Sequence, residues 1–136
     1  MTDKRGDQTF RASGNQEWWP EMTYAGALSF GRRRYSRDLA DVDIVISGIP
    51  YDNAVTYRPG TRLGPRAIRA GSVQLTELKH FPSGIEPCEE LSVIDYGDCM
   101  INPHDPTSVF DTIEAHADHI LASGARMLSL GGDHSV

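Results

Sequence analysis

Apolar positions along the chain follow two rhythms. The first is short and nearly continuous: Val-Asp-Ile-Val-Ile-Ser-Gly-Ile-Pro from Val42 to Pro50, Leu-Ser-Val-Ile-Asp-Tyr-Gly-Asp from Leu91 to Asp98, and Met-Leu-Ser-Leu from Met127 to Leu130. Runs of this kind predict strands, and their near-continuous apolarity predicts burial on both faces, as in a parallel sheet. The second rhythm steps by three and four. Val109, Phe110, Ile113, Ala117, Ile120 and Leu121 make one apolar stripe on a helix. Asp105 is its expected N-cap and Pro106 its first helical position, and the helix is expected to run to about Ser123, with Gly124 as its stop. Another helix is expected from Pro65 to about Leu78, because proline loses nothing in a first turn. Strand, helix, strand, helix, strand in that order predicts an α/β fold of three layers, a parallel sheet between helices. Ordering a helix costs about 1–2 kcal/mol per residue, so the striped helix needs the sheet beneath it.

The segments between these elements are polar or turn-rich. Residues 1–21 read as a mobile N-terminal arm, and residues 22–136 as part of a single α/β domain. The arm and its junction carry Trp18-Trp19-Pro20 and Thr23 to Phe30, an aromatic surface that something should cover, either this chain's body or a neighbouring subunit. Arg32, Arg33 and Arg34 are expected to form a solvated basic surface. Residues 80–90 read as a connector.

Composition narrows the function. The chain has 136 residues with 39% hydrophobic and 24% charged, ordinary for a globular domain. Its net charge of -6 argues against general affinity for nucleic acid or anionic membrane. No apolar run reaches transmembrane length, and Met1 to Phe10 lacks the apolar core of a secretion signal, so a cytoplasmic location is expected. Cys88 and Cys99 fit no metal or redox spacing and read as free thiols.

Candidate chemistry gathers at Gly131-Gly132-Asp133-His134. In an open parallel sheet, residues just past the carboxyl end of a strand face the functional crevice. A neutral imidazole there can ligate a metal, and a neighbouring carboxylate can fix its tautomer or help hold the ion. The alternative is an ordinary turn with a capping Asp133. Asp95 and Asp98 end their strand near the same crevice, with Asp98 expected to accept backbone N–H groups in a turn. His116 and His119, three apart on the striped helix, read as structural. The glycine-rich stretch Arg58 to Arg69 matches neither phosphate-binding spacing, which discounts nucleotide binding. Arg66 and Arg69 share a helix face, and a solvated face is preferred for Arg69.

Three segments together carry a resemblance to the ureohydrolase family, which includes arginase and agmatinase: Gly48-Ile49-Pro50-Tyr51-Asp52, then Thr56-Tyr57-Arg58-Pro59-Gly60-Thr61-Arg62-Leu63-Gly64-Pro65-Arg66-Ala67-Ile68-Arg69, then Leu130-Gly131-Gly132-Asp133-His134-Ser135. Asp95-Tyr96-Gly97-Asp98 also fits, and the second segment is similar to the agmatinase branch. The resemblance implies an arginase-like three-layer fold, two manganese ions, a small guanidino substrate and a homo-oligomer. It implies that His134 ligates one Mn²⁺ and assigns no catalytic residue. The family's other ligands come from a later Asp-Ala-His-x-Asp and a later Asp-x-Asp, and neither occurs in these residues. The expectation is therefore the amino-terminal portion of a hydrolase that converts agmatine to putrescine and urea. A guanidinobutyrase or other guanidino-acid amidinohydrolase is the alternative, and a non-catalytic truncated fragment is another.

Overall fold

The structure is a computed structural model that describes residue 9, residues 22–75 and residues 79–136. Four strands form one sheet: β1 (Arg34–Tyr35), β2 (Ile44–Ile49), β3 (Val93–Asp98) and β4 (Arg126–Gly131). They lie in the order β1-β3-β2-β4, and every pairing is parallel. β2 sits centrally, in register with β4 from Ile44↔Arg126 to Ile49↔Gly131. Against β3 its register shifts once, between Ile46 and Ser47. The predicted strands all form; β2 and β3 do so because β-branched residues with little polar interruption suit a sheet covered on both sides, whereas β4, last in the sheet order and without a β-branched residue, leaves Leu128 exposed and falls short of the two-sided burial expected.

The helices are α1 (Gly64–Ser72), the short α2 (Pro87–Glu90) and α3 (Val109–Leu121). Neighbouring strand residues show that α1 and α3 cover opposite faces. A Cβ on Gly48 would lie 2.8 Å from Pro65 Cβ of α1. The adjacent Ser47 instead bonds His116 of α3. β3 repeats the alternation: Asp95 binds Arg69 of α1, and Tyr96 meets His116 edge-on. Successive side chains of a strand point to opposite faces, so the sheet is flanked on both sides, as the sequence predicts. The buried cluster on the α3 side is Val45, Ile94, Tyr96, Ile120 and Ala125, with Leu39, Val42 and Met127 packed against it. Each large aliphatic side chain buried there stabilises the sandwich by about 1.5–3 kcal/mol.

Several expectations need correction. The helix from Pro65 ends at Ser72 and tightens into a 3-10 turn at Val73–Leu75, and residues 76–78 lie outside the described residues. Ser72 Oγ donates to Arg69 O at 2.7 Å and accepts Gly31 N–H at 2.7 Å, a local alternative to continuing the helix ladder. Asp105 caps as expected, its carboxylate taking Thr107 N–H at 3.2 Å, but the first turn is 3-10 and α3 proper starts at Val109. The stripe is narrower than its period implies: Val109 and Ile120 are buried, whereas Phe110 and Leu121 are half exposed. The basic run is no solvated surface. Arg32 and Arg33 are both buried, with Arg32 Nη2 donating to Met22 O at 2.7 Å and Ala25 O at 2.6 Å, and Arg33 Nε to Gly31 O at 2.8 Å. Backbone carbonyls two to ten residues earlier accept from these guanidiniums, a pairing the run of three arginines does not announce.

β1 is also unanticipated. Its two residues are polar at one position and aromatic at the other, and only their pairing with Ile94 and Asp95 makes them a strand. Thr9 is buried beside it, its carbonyl accepting Tyr35 N–H at 3.1 Å. The Trp18-Trp19-Pro20 patch and the rest of 1–21 lie outside the described residues. Cys88 and Cys99 are free. No helix among the described residues is long and apolar enough to cross a membrane.

Candidate metal centre

β4 delivers the double-glycine turn to the carboxyl end of the sheet, beside the loop that leaves β2. Gly132 is the glycine the turn requires. Its φ is +64°, and a Cβ there would lie 2.5 Å from Ile49 O and 2.7 Å from Tyr51 O. A Cβ on Gly131 would meet its neighbours at ordinary distances. The close packing continues into α1, where a Cβ on Gly64 would sit 2.6 Å from Gly131 O. Glycine is the residue that permits both the left-handed turn and such an approach of backbones.

Asp133 follows, and its polar groups are engaged. Its N–H donates to Tyr51 O at 2.8 Å. One carboxylate oxygen accepts Ala54 N–H at 2.8 Å. The other accepts Ser135 N–H at 2.9 Å and the Ser135 hydroxyl. The Ser135 hydroxyl holds this carboxyl below its ordinary range, helped by the Ser135 and Ala54 N–H groups and opposed by partial burial. Asp133 is thus a turn-forming carboxylate, the plainer of the two sequence readings.

His134 is exposed, and among the described residues nothing hydrogen-bonds its imidazole. Open ring nitrogens on a firmly tied turn suit a metal donor. Among the described residues no group of three or more His, Cys, Asp or Glu could hold a metal ion. His134 therefore fits as one donor and does not make a complete set.

The adjoining loop has its own clasp. Asp52 is buried, accepting Gly60 N–H at 2.7 Å, Arg62 N–H at 3.3 Å and Arg62 Nε at 2.5 Å, with Arg62 Nη2 in contact as well. The Arg62 guanidinium is the main reason its pKa falls to about 2. A cleft of about 570 Å³ opens beside the clasp, lined by Tyr51, Asp52, Cys99, Met100 and Val109 among others, and neither Asp133 nor His134 lines it. Asp52 and Arg62 belong to two separate family-like segments, and no spacing rule links an Asp to an Arg ten residues on.

The other candidates sort into supports. Arg69 is not on a solvated face. It is buried, donating to Asp95 at 2.7 and 2.9 Å and to Asp98 at 2.6 Å. Asp98 pairs with this guanidinium instead of accepting the turn N–H groups expected of it. Asp95 is wholly buried and also accepts Phe30 N–H at 2.7 Å and Gly97 N–H at 2.9 Å. His116 lies 2.7 Å from Ser47 Oγ, and both His116 and His119 set their rings against Tyr96, consistent with the structural reading.

Comparison with known proteins agrees with this architecture. The chain is 56% identical over 131 residues to an agmatinase of Chromobacterium violaceum, a match covering 96% of this chain and 41% of that protein. The crystal structure of a hypothetical agmatinase from Burkholderia thailandensis superposes with a TM-score of 0.86 at 54% identity, over 96% of this chain and 41% of that one. Trypanosoma cruzi formiminoglutamase, solved with Mn²⁺, matches with a TM-score of 0.60 at 27% identity, over 71% of this chain and 33% of that one. The chain thus spans well under half the length of these relatives. Residues 42–136 match the Arginase family, and with the parallel sheet, its flanking helices and the His134 turn already in place, the chain belongs to that family.

Proposed function

We propose that the protein carrying this chain is a manganese-dependent ureohydrolase that converts agmatine to putrescine and urea. The observation that carries the reading is the His134 turn: an exposed imidazole with open nitrogens, fixed at the carboxyl end of β4, in a chain 56% identical to an agmatinase. The chemistry explains why such a donor matters. A guanidinium carbon is a poor electrophile, and water at neutral pH is a poor nucleophile. Divalent cations supply the missing activation by lowering the pKa of water. Imidazole and carboxylate donors suit a borderline-hard ion such as Mn²⁺. In this scheme His134 contributes one lone pair, and its turn, tied by Asp133, keeps that lone pair aimed.

Residues 1–136 alone are proposed not to turn over, because no group of three or more potential ligands is present among the described residues. A guanidino acid such as guanidinobutyrate is the competing substrate, differing from agmatine at the end remote from the guanidinium. A homo-oligomer is the accompanying expectation from the family resemblance, and a cytoplasmic location the one from the sequence pattern. The test is urea release by the complete purified protein, loaded with Mn²⁺ and offered agmatine and guanidinobutyrate side by side. Preference for agmatine supports the proposal, and urea from neither compound removes it.

A further inference from the structure

The loop after β2 and the turn after β4 are bound to each other at residue 133, through its backbone and its side chain. We propose that Asp133 is a positioning residue for His134 and not itself a ligand, an inference that rests on the reading of His134 as a manganese donor. Three observations point this way. The Asp133 carboxylate already accepts Ala54 N–H at 2.8 Å on one oxygen and Ser135 N–H at 2.9 Å on the other, so it faces backbone donors on both sides. Those donors bracket His134: Ser135 follows it directly, and Ala54 stands on the opposing loop. The opposing loop is itself anchored, since Tyr51 O takes Asp133 N–H at 2.8 Å and Asp52 closes the loop onto Gly60 and Arg62. Among the described residues nothing hydrogen-bonds the imidazole, while the chain on either side of it is tied.

This arrangement gives Ala54 a testable importance, although its side chain carries no chemistry. Its N–H is the link through which the β2 loop holds the carboxylate, and the carboxylate holds the turn. Groups that orient a metal ligand commonly change metal affinity by about 10–100-fold when removed.

The experiment measures Mn²⁺ affinity of the complete protein by isothermal titration, with folding checked by circular dichroism and hydrogen exchange read at the Ala54 amide. Ala54→Pro deletes the N–H and leaves the carboxylate intact. It is expected to weaken Mn²⁺ by about tenfold, within the range for orienting groups. An unchanged affinity in folded Ala54→Pro overturns the proposal. Should that variant fail to fold, Asp133→Asn decides. Weaker Mn²⁺ together with faster exchange at Ala54 supports positioning. Weaker Mn²⁺ with unaltered exchange means that Asp133 acts on the metal directly and overturns it, as does unchanged affinity. His134→Ala separates this inference from its premise: unchanged Mn²⁺ affinity there removes the ligand reading itself, whatever Asp133 does.

Discussion

Arg69 and Asp95 meet in a two-point ion pair beneath α1, Nε to one carboxylate oxygen at 2.7 Å and Nη2 to the other at 2.9 Å, with Asp95 wholly buried. Nη1 reaches on to Asp98 at 2.6 Å, so one planar guanidinium ties α1 to two positions of β3. Removing one partner of a buried pair leaves the other charge uncompensated. Arg69→Ala is therefore expected to destabilise the protein by about 3–5 kcal/mol. Arg69→Lys should recover only part of this, because an ammonium cannot span both carboxylates. Chemical denaturation of the two variants measures it, and a loss under about 0.5 kcal/mol, the size of an ordinary surface change, would contradict the role.

His116 titrates below its ordinary value. Ser47 Oγ donates its only proton to Gly97 O at 3.0 Å, so at the 2.7 Å contact it must accept from His116 Nε2–H. Burial is the largest cause of the depressed pKa, followed by electrostatic interaction with Arg37 and His119, while Asp98 opposes them. As pH falls through 6.5, the unfolded chain takes up a proton that the folded chain still refuses. Stability from this group is complete above 6.5, declines as pH drops toward the folded value, and levels off below it. Following the His116 ring resonances by NMR should give a midpoint under 6.5, and a midpoint at or above it would contradict the packing.

The Asp52 clasp has the same sign as His116 but acts in a more acidic window. Its pKa falls from 3.8 to about 2, chiefly through Arg62, so its contribution is complete above 3.8 and disappears as pH falls toward 2. Asp52→Asn removes the charge at neutral pH. The Gly60 and Arg62 amides, which donate to this carboxylate, should then exchange with solvent at least several-fold faster. Exchange as slow as in the parent would mean that something else closes the loop.

Two glycines of α1 should respond oppositely to alanine. A Cβ at Gly64 would stand 2.6 Å from the Gly131 carbonyl, a backbone atom with no rotamer in which to retreat. Gly64→Ala should cost about 1–3 kcal/mol and disturb the His134 turn. Gly71 has nothing within 4 Å of an added Cβ, and Gly71→Ala should be neutral or stabilising by up to about 1 kcal/mol. Thermal melts of the pair test the contact, and equal shifts would remove it.

The parts legible in the sequence are those fixed by local pattern. β2, β3, β4 and α3 each carry enough β-branched or periodic apolar residues to declare themselves, and Asp105-Pro106 marks its helix start through backbone chemistry. The parts that were not legible depend on partners distant in sequence. Arg69 looks solvated until Asp95 arrives 26 residues later, and Arg32 looks solvated until the carbonyls of Met22 and Ala25 fold over it. β1 is two residues long and exists only through its pairing with β3. At the candidate site, the motif singles out His134, and the structure adds that its imidazole is exposed. The engagement of Asp133 with Ala54, 79 residues earlier, was visible only in three dimensions.

The central claim is that His134 donates to manganese. Its most direct measurement is manganese binding by the complete protein and by His134→Ala, followed through the electron paramagnetic resonance signal of free Mn²⁺. The account predicts that the variant holds manganese more weakly by well over the tenfold that loss of an orienting group causes, while its circular dichroism matches the parent. Equal manganese affinity in the two proteins would contradict it.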